Sequence, residues 1–372
     1  MREPPPRPES DAAPTPLQPH KGRGAVSRLA HRFERDQRSA FDDGWGDARA
    51  VDEDAPPPPA TQVIFEDARS AISANDSPDI AFDYSVNPYR GCEHGCIYCF
   101  ARPTHSYLGL SPGLDFETRI IAKRNIAAVL ARELAAPRYR PSVINIGSAT
   151  DCYQPLERQL RLTRALIEVL AQARHPFSIV TKSSGIERDL DLLAPLAAQG
   201  LVAVYVTITT LDAGLARRLE PRAAAPHRRL RTLRTLAEAG VPVGVSVAPQ
   251  IPFVNEDMEQ VLAAARAAGA RSAFYTVLRL PWELSELFQQ WLQVHVPDRA
   301  ERVMARVRDL RGGRDYDSAW GQRMHGQGLW ADLLRQRFER ACRRLGLNRQ
   351  RIALDGGRFR PAALGGQAEL FE

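Results

Sequence analysis

The 372-residue sequence has no run of about 18 apolar residues, the minimum length for a transmembrane helix. Its first residues, MREPPPRPES, lack the apolar stretch of a secretory signal peptide. Five cysteines are too few for a disulfide-stapled secreted scaffold. These absences predict a cytoplasmic protein without a membrane partner. In that reducing compartment a cysteine cluster binds metal or takes part in catalysis.

Lysine is also scarce. Only three lysines, Lys21, Lys123 and Lys182, occur among the 50 basic residues, and the others are arginines. Such a bias is typical of genome composition, so it is weak evidence for phosphate binding. The net charge of +6 is compatible with a nucleic acid partner but does not require one. No GxGxxG motif follows the first predicted strand, which disfavours a dinucleotide-binding fold.

The N-terminal segment differs in composition from the rest of the chain. It contains PPP at 4–6 and PPPP at 56–59, together with separate basic and acidic stretches. Because such a segment buries little apolar surface, we predict that it is mostly disordered, with a lid or docking arm as the alternative. The predicted division is a disordered segment at 1–60, a core domain at 61–281 and a helical extension at 282–372.

Apolar strands alternate with helices from residue 80 onward. The six predicted strands cover 82–89, 142–151, 177–184, 201–210, 241–252 and 272–281. Helical periodicity predicts intervening helices over 117–135, 156–174, 187–199, 227–240 and 258–270. This alternation predicts a parallel sheet with right-handed crossovers and helices on the outside. Six units, rather than eight, indicate an α/β fold of the partial (β/α)6 barrel type.

The stretch 90–105, RGCEHGCIYCFARPTH, concentrates three of the five cysteines: Cys92, Cys96 and Cys99. A structural zinc site and an ordinary 4Fe–4S cluster both take four protein ligands. Since Cys152 and Cys342 are remote in sequence, His94 or His105 would complete a zinc site. Alternatively, the fourth position stays open for a substrate or cofactor, as in catalytic metal sites. The spacing alone leaves both kinds of site open.

The C-x3-C-x2-C motif, flanked by Tyr98 and Phe100 and placed just after the first predicted strand, resembles that of the radical S-adenosylmethionine superfamily. In that superfamily three cysteines hold a 4Fe–4S cluster, and the fourth iron binds S-adenosylmethionine. One-electron reduction cleaves that cofactor to methionine and a 5′-deoxyadenosyl radical, which abstracts hydrogen from a substrate. The superfamily fold is a partial barrel of six units, in agreement with the strand count. The resemblance also implies an electron donor such as flavodoxin or ferredoxin.

Within the superfamily, the chain is similar to the spore photoproduct lyase branch and its bacterial relatives of unassigned substrate. The stretches that carry the resemblance are NPYRGCEHGCIYCFARPTH, GSATDCYQPLE, IVTKSS, VTITTLD and LEPRAAAPHRRL. They fall between residues 80 and 281. This branch makes nucleic acid the leading substrate class. The alternative is a nucleic-acid-binding protein, stabilised by zinc or by an iron–sulfur cluster, that performs no radical chemistry.

The resemblance implies cofactor contacts at the C-terminal ends of the strands. Thr150 matches a residue that contacts the amino group of S-adenosylmethionine. Lys182 and Thr209 match residues that hold its carboxylate. The full set of expected cofactor-binding residues is Tyr98, Phe100, Ser148, Thr150, Asp151, Lys182, Ser183, Thr209 and Arg222. Each of them also has a structural interpretation in turn capping, sheet packing or surface pairing.

One departure concerns the hydrogen donor. Spore photoproduct lyase has a cysteine three residues before the aspartate that Asp151 matches, and this cysteine returns a hydrogen atom to the substrate radical. Ser148 occupies that position here, and its O–H bond is too strong for the same role. Cys152 is the candidate donor from a shifted position; an inert, half-buried cysteine is the alternative. Cys342, on a predicted arginine-rich helix, is expected to be structural.

Overall fold

The computed structural model describes residues 17, 19–34 and 60–364. Predictions for the other residues of 1–60 and for 365–372 therefore lie outside the described part of the chain. Within that described part, no helix combines the length and apolar character needed to cross a membrane.

The described residues form ten strands and eleven α-helices. The strands are β1 (Gln62–Glu66), β2 (Ile72–Ala74), β3 (Tyr84–Val86), β4 (Tyr89–Arg90), β5 (Arg119–Lys123), β6 (Ile144–Ile146), β7 (Phe177–Thr181), β8 (Val202–Thr207), β9 (Val243–Gln250) and β10 (Ser272–Val277). The helices are α1 (Leu114–Thr118), α2 (Ile126–Leu134), α3 (Glu157–Leu160), α4 (Leu162–Gln172), α5 (Leu190–Ala198), α6 (Ala213–Leu219), α7 (Pro226–Glu238), α8 (Met258–Ala267), α9 (Glu283–His295), α10 (Ala300–Asp309) and α11 (Gly328–Leu345). Short 3-10 helices cover Arg102–Leu108, Ser184–Asp189, Pro297–Arg299, Gly356–Arg358 and Pro361–Leu364.

The larger sheet has the strand order β10-β9-β8-β7-β6-β3-β2 among the described residues. The six strands from β10 to β3 pair in parallel, and β2 adds antiparallel to β3 at the edge. This arrangement agrees with the partial barrel of six parallel strands predicted from the sequence, which is confirmed. The C-terminal ends of these strands lie at one edge, where such folds place their functional groups.

The central strands show why the sheet lies inside the molecule. VAVYVT in β8 and VGVSVAPQ in β9 have almost every side chain buried, so both faces of the sheet must be covered. The covering helices each contribute a fully buried leucine to the main core: Leu130 of α2, Leu166 of α4, Leu193 of α5, Leu233 of α7 and Leu262 of α8. Burial of one such side chain contributes about 2 kcal/mol to stability.

A second, smaller sheet has the order β1-β5-β4. The prediction of a helix over 117–135 is wrong for its first part, because Arg119–Lys123 is a strand of this sheet and α2 begins only at Ile126. Residues 120–122 are buried and pair with β1 on one side and β4 on the other. This long-range pairing overrides the local helical periodicity.

Residues 19–34, which we call the N-terminal strap, depart from the disorder predicted for residues 1–60. Arg23, Gly24, Ala25 and Val26 are buried. Ala25 lies in an apolar cluster that also contains Cys96 and residues of α6, α9 and α10. The low apolar content of the segment does not prevent this packing, because the strap is fixed largely by backbone hydrogen bonds to a distant carboxylate.

The C-terminal helices lie on two sides of the barrel. Helices α9 and α10 bury Trp291 and Val303 in the cluster that contains Ile97 from the cysteine motif. Helix α11 lies against α8, where Arg337 pairs with Glu259 at 2.7 Å. The extension therefore contributes to the packing around the cysteine motif as well as to the outer surface.

Candidate functional site

The three clustered cysteines lie in a loop that follows β4, which we call the cysteine loop (residues 91–101). Cys92 and Cys96 are buried, whereas Cys99 is half-buried. Gly91 and Gly95 have φ of 83° and 66°, in the left-handed region that glycine adopts without strain. The loop therefore turns twice within a few residues and brings its cysteines together.

The thiols fit a site for a cationic metal centre. Burial raises the pKa of Cys92 well above its ordinary value, and the charges of Asp151, Cys96 and Cys99 raise it further. Burial also raises the pKa of Cys96 to about 12, although the charge of Lys182 opposes this effect. The neutral thiol is therefore the stable form of the metal-free site. Positively charged iron would supply the stabilisation that thiolates need there.

Arg102 organises the cysteine loop from inside. It is fully buried, and its guanidinium donates to the carbonyl oxygens of Cys96 at 2.9 Å and Gly95 at 3.0 Å. It also donates to the Glu117 carboxylate, another fully buried group, at 2.5 Å. Removing one partner of such a buried pair costs about 3–5 kcal/mol, because the other charge is left uncompensated. The buried Arg102–Glu117 pair therefore holds the loop backbone from beneath.

Asp151 connects the ends of two strands with the cysteine loop. It accepts hydrogen bonds from Thr181 Oγ1 and from the backbone N–H of Lys182, both at 2.7 Å. His94 Nδ1 lies 3.2 Å away, within ion-pair distance, although its N–H is not aligned for a hydrogen bond. Burial alone would raise the pKa of Asp151. The charge of His94 and the hydrogen bonds outweigh burial and hold the pKa below its ordinary value.

Glu220 forms a second buried junction. Its carboxylate accepts hydrogen bonds from Tyr98 and from Thr209, the latter at 2.5 Å, and pairs with Arg229 of α7. All four side chains are buried. Burial by itself raises the pKa of Glu220, but the charges of Arg229 and Lys182 lower it below its ordinary value. This junction fixes the cysteine loop to the end of β8 and to α7.

Lys182 lies between these two junctions. Its Nζ is 5.7 Å from the centre of the Tyr98 ring. Burial lowers the pKa of Lys182, but the negative charges of nearby groups, Glu220 and Asp151 among them, raise it more, so the group remains protonated. Within the described residues, no hydrogen bond or ion pair engages its ammonium group. A cation that lies over the Tyr98 ring and makes no ion pair with a described residue is suited to an anionic ligand.

The polar residues after β6 and β7 have partners within the protein. Thr150 Oγ1 donates to the Tyr89 carbonyl oxygen at 3.1 Å, and Ser148 Oγ accepts from Asn87 at 3.3 Å. Ser183 accepts from the backbone N–H of Gly185 at 3.0 Å and so caps a 3-10 helix. Thr150 and Ser148 each keep free capacity for a further hydrogen bond, since a hydroxyl both donates and accepts.

Two expected contacts lie farther out. Arg222 pairs with Glu93 at 3.1 Å and is therefore directed at the cysteine loop itself. Phe100 is 43% exposed, and the guanidinium of Arg279 lies 4.8 Å from its ring centre. Arg279 follows β10 directly, and its Nε is buried without a hydrogen-bond partner among the described residues. The exposed Phe100 ring thus lies beside a half-buried arginine at the strand ends.

The remaining cysteines are both buried. Cys152 has no exposed surface, and burial together with the charges of Asp151 and Glu157 raises its pKa well above the ordinary value. Cys342 of α11 is buried in the main core, and burial raises its pKa to about 11.

Several residues that organise the site escape the sequence analysis: Arg102, Glu117, His94 as a partner of Asp151, and Arg229. The one sequence signal for Arg102 is its position immediately after the cysteine motif. A charged residue is seldom buried unless it is paired, so a buried Arg102 requires an acidic partner. The sequence does not indicate that this partner is Glu117.

Geometry separates this site from a mononuclear one. Across the described chain, no three His, Cys, Asp or Glu side chains converge as the ligands of one ion would. A 4Fe–4S cluster differs because each thiolate binds a different iron.

Comparison with known proteins identifies the fold and the family. The model of the Radical SAM superfamily matches residues 86–265. An uncharacterized protein of Mycobacterium tuberculosis is 37% identical over 254 residues, which are 67% of this chain and 74% of the relative. An uncharacterized protein of Methanocaldococcus jannaschii is 26% identical over 242 residues, 65% of this chain and 86% of the relative.

Solved structures of spore photoproduct lyase share the fold. One mutant of that enzyme gives a TM-score of 0.55 at 17% identity, over 77% of this chain and 80% of the lyase. Another mutant, solved with dinucleoside spore photoproduct, gives a TM-score of 0.54 at 15% identity over the same shares. The matched superfamily region contains the cysteine loop, both buried junctions and Lys182. The chain therefore belongs to the radical S-adenosylmethionine superfamily and is an enzyme of that class.

Proposed function

We propose that Cys92, Cys96 and Cys99 ligate a 4Fe–4S cluster and that S-adenosylmethionine binds beside Lys182. The observation that carries this proposal is the charged Lys182 ammonium, which lies 5.7 Å from the Tyr98 ring of the cysteine loop and makes no ion pair with a carboxylate of the described residues. When bound, the cluster would supply one electron to cleave S-adenosylmethionine, and the resulting 5′-deoxyadenosyl radical would take hydrogen from a substrate. Flavodoxin or ferredoxin is the proposed source of the electron.

The protein groups around Lys182 suit the two ends of an amino acid. The Lys182 ammonium pairs with the carboxylate, and the Asp151 bond to the Lys182 backbone N–H fixes the main chain from which this side chain extends. Thr150 donates its own hydrogen to Tyr89, so its oxygen lone pairs are left to accept from the amino group. Thr209 gives its hydrogen to Glu220. We therefore assign Thr209 to positioning Glu220 rather than to a contact with the cofactor.

The zinc alternative requires a histidine as the fourth ligand. His94 faces Asp151 at 3.2 Å, and His105 Nε2 lies 3.0 Å from the Arg119 carbonyl oxygen. Burial lowers the pKa of His105 to about 4, so it is neutral and forms this bond as a donor. Each contact engages only one ring nitrogen, and a zinc-bound histidine commonly makes such a bond through its other nitrogen, so substitution has to separate a Cys3His site from the three-cysteine cluster. Changing both His94 and His105 to alanine should leave that cluster in place and would empty a Cys3His zinc site.

An anaerobic purification tests the cluster directly. We expect a brown protein that absorbs near 400 nm, carries about four irons per chain and forms 5′-deoxyadenosine after dithionite reduction. Cys99→Ala should abolish the band and the product, whereas Cys342→Ala should keep both. A colourless protein with one zinc per chain would contradict the proposal.

Nucleic acid is the proposed substrate class. Arg279 and Phe100 support it, because an arginine and an exposed aromatic ring at the strand ends suit a phosphate and a stacked base. The arginine-rich helices contribute less than their composition suggests. Arg306 and Arg308 of α10 and Arg337 of α11 are engaged with acidic side chains.

Two arginines at opposite ends of β10 test the substrate proposal. Arg279 follows the strand at the edge that carries the site, and Arg271 precedes it at the other end and serves as the control. UV-irradiated DNA, tRNA and cell extract are each added to the reduced enzyme, and 5′-deoxyadenosine formation is measured. If one of them stimulates turnover, Arg279→Gln should raise its half-saturating concentration about tenfold, and Arg271→Gln should not. Equal stimulation of both variants would argue against a phosphate contact at Arg279.

Cys152 is the proposed hydrogen donor to the substrate radical. Burial raises its pKa and so keeps it as the S–H form that can give a hydrogen atom, and it directly follows Asp151 of the buried junction at the strand ends. Cys152→Ala should retain 5′-deoxyadenosine formation but lose the final product, while Cys342→Ala should retain both. Unchanged product formation in Cys152→Ala would identify Cys152 as a packing residue.

A further inference from the structure

The N-terminal strap contacts the cysteine loop through a buried carboxylate. The backbone N–H groups of Gly24 and Ala25 donate to Glu117 at 3.0 and 2.8 Å. Arg23 donates to the Glu117 carbonyl oxygen at 2.9 Å. Glu117 is fully buried, so these bonds are shielded from water. The strap thus supplies two of the three hydrogen bonds that this carboxylate receives from the described residues.

Glu117 is also the partner of Arg102, which holds the loop carbonyls of Gly95 and Cys96. The connection therefore runs from the strap through Glu117 and Arg102 to the backbone between two of the proposed cluster ligands. Every member of it is buried and bonded. Loss of the strap would leave Glu117 with unmatched acceptor capacity in the interior, which is costly.

The strap also touches the loop directly. A Cβ atom added to Gly24 would lie 1.9 Å from the Gly95 carbonyl oxygen, a distance at which the backbone must move. A Cβ atom on Gly95 would in turn lie 2.7 Å from Glu117 Oε2. Ala25 packs in the same apolar cluster as Cys96. The glycines at 24 and 95 therefore permit a backbone approach that no larger residue allows.

A second anchor holds the far end of the strap. Arg32 pairs with Glu283 at 2.7 Å. Its guanidinium also lies within 5 Å of three ring centres: Phe33 at 4.8 Å, Tyr107 at 4.9 Å and Trp282 at 4.6 Å. Tyr107 belongs to the 3-10 helix that follows the cysteine loop, and Glu283 begins α9. This anchor ties the exit of the loop to the C-terminal extension.

We propose that the N-terminal strap is a positioning element that holds the cysteine loop in its ligating conformation and shields Cys96. The role in cluster retention rests on the proposed function, but the shielding of Cys96 does not. Weakening the strap should let the loop open without unfolding the barrel. Cys96 would then react faster with alkylating reagents in the metal-free protein, and a bound cluster would be lost faster in air.

The test compares full-length variants by mass spectrometry after iodoacetamide labelling of metal-free protein, with Cys342 in the same digest as the internal reference. Gly24→Ala introduces the clash with the loop. Gly356→Ala is the matched control, since its Cβ would meet open space. Arg32→Ala releases the outer anchor on the surface. We expect the ratio of Cys96 to Cys342 labelling to rise about tenfold in Gly24→Ala and severalfold in Arg32→Ala, and to stay unchanged in the control.

The labelling ratios decide whether the strap positions the cysteine loop. An increase in labelling confined to Cys96 supports the strap as a positioning element. Unchanged ratios in both strap variants overturn it. If Gly24→Ala unfolds, so that Cys342 also becomes reactive, the labelling ratio of Arg32→Ala alone decides whether the strap shields Cys96. The half-life of the 400-nm absorbance in air is then measured for cluster-loaded protein. A parent protein that never acquires this band refutes the proposed function, whatever the labelling result is for the strap.

Discussion

Replacing Lys182 with methionine tests the site most directly, because it removes the charge and keeps much of the apolar stem. A charge-assisted hydrogen bond contributes about 1.5–3 kcal/mol, which corresponds to a loss of roughly 10- to 150-fold in affinity for S-adenosylmethionine. The nearby Arg229 is unable to replace it, since its guanidinium is bonded to Glu220 and to the carbonyl oxygens of Thr207 and Ala224. We therefore expect a loss within this range.

The assay is calorimetric titration of S-adenosylmethionine into anaerobic, cluster-loaded protein. Lys123→Met is the matched control, because Lys123 is the other lysine in the barrel domain and lies on β5 in the smaller sheet. Its affinity should equal that of the parent. The absorbance near 400 nm should be the same in all three proteins, since Lys182 is not a cluster ligand. Unchanged affinity in Lys182→Met with an intact cluster would refute the assignment of the carboxylate to this lysine.

Two further predictions concern stability. Glu220→Gln leaves Arg229 buried without its counter-charge and should lower the free energy of unfolding by about 3 kcal/mol. The control Glu238→Gln, at an exposed position, should change it by less than about 0.5 kcal/mol. Urea denaturation measures both values. Burial lowers the pKa of His175 to about 4, so the unfolded chain takes up its proton first and stability falls as the pH drops from about 6.5 to 4. His175→Gln, which can still accept from Tyr139, should reduce that fall by about 2 kcal/mol; an unchanged pH profile would show that His175 is not the group responsible.

The sequence predicts those parts of the site that depend on short stretches of chain. The strand and helix periodicities give six parallel units, and the spacing of Cys92, Cys96 and Cys99 gives the superfamily; both predictions are confirmed. The contacts assigned to the individual cofactor-binding residues remain predictions. Local patterns carry these features because a strand or a metal loop is defined by neighbours in sequence.

Contacts between distant residues are what the sequence analysis misses. Tyr98 and Glu220 are 122 positions apart, and Gly24 and Glu117 are 93 apart. Nothing in the composition around Gly24 indicates a buried backbone contact. The same limitation explains β5, whose strand conformation depends on partners on both sides. Which polar residue is engaged and which is free, as at Thr209 and Lys182, is likewise a property of the assembled structure.

The junction at Glu220 has a consequence for how this protein can diverge. Replacing Glu220 alone leaves the Arg229 charge buried without a partner, and replacing Arg229 alone leaves the Glu220 carboxylate in the same state. Either single substitution therefore lowers the stability of the protein. A joint replacement by two apolar residues of similar volume avoids both penalties. Descendants of this chain should therefore keep the two positions together or lose them together, and intermediates with only one of them should be rare.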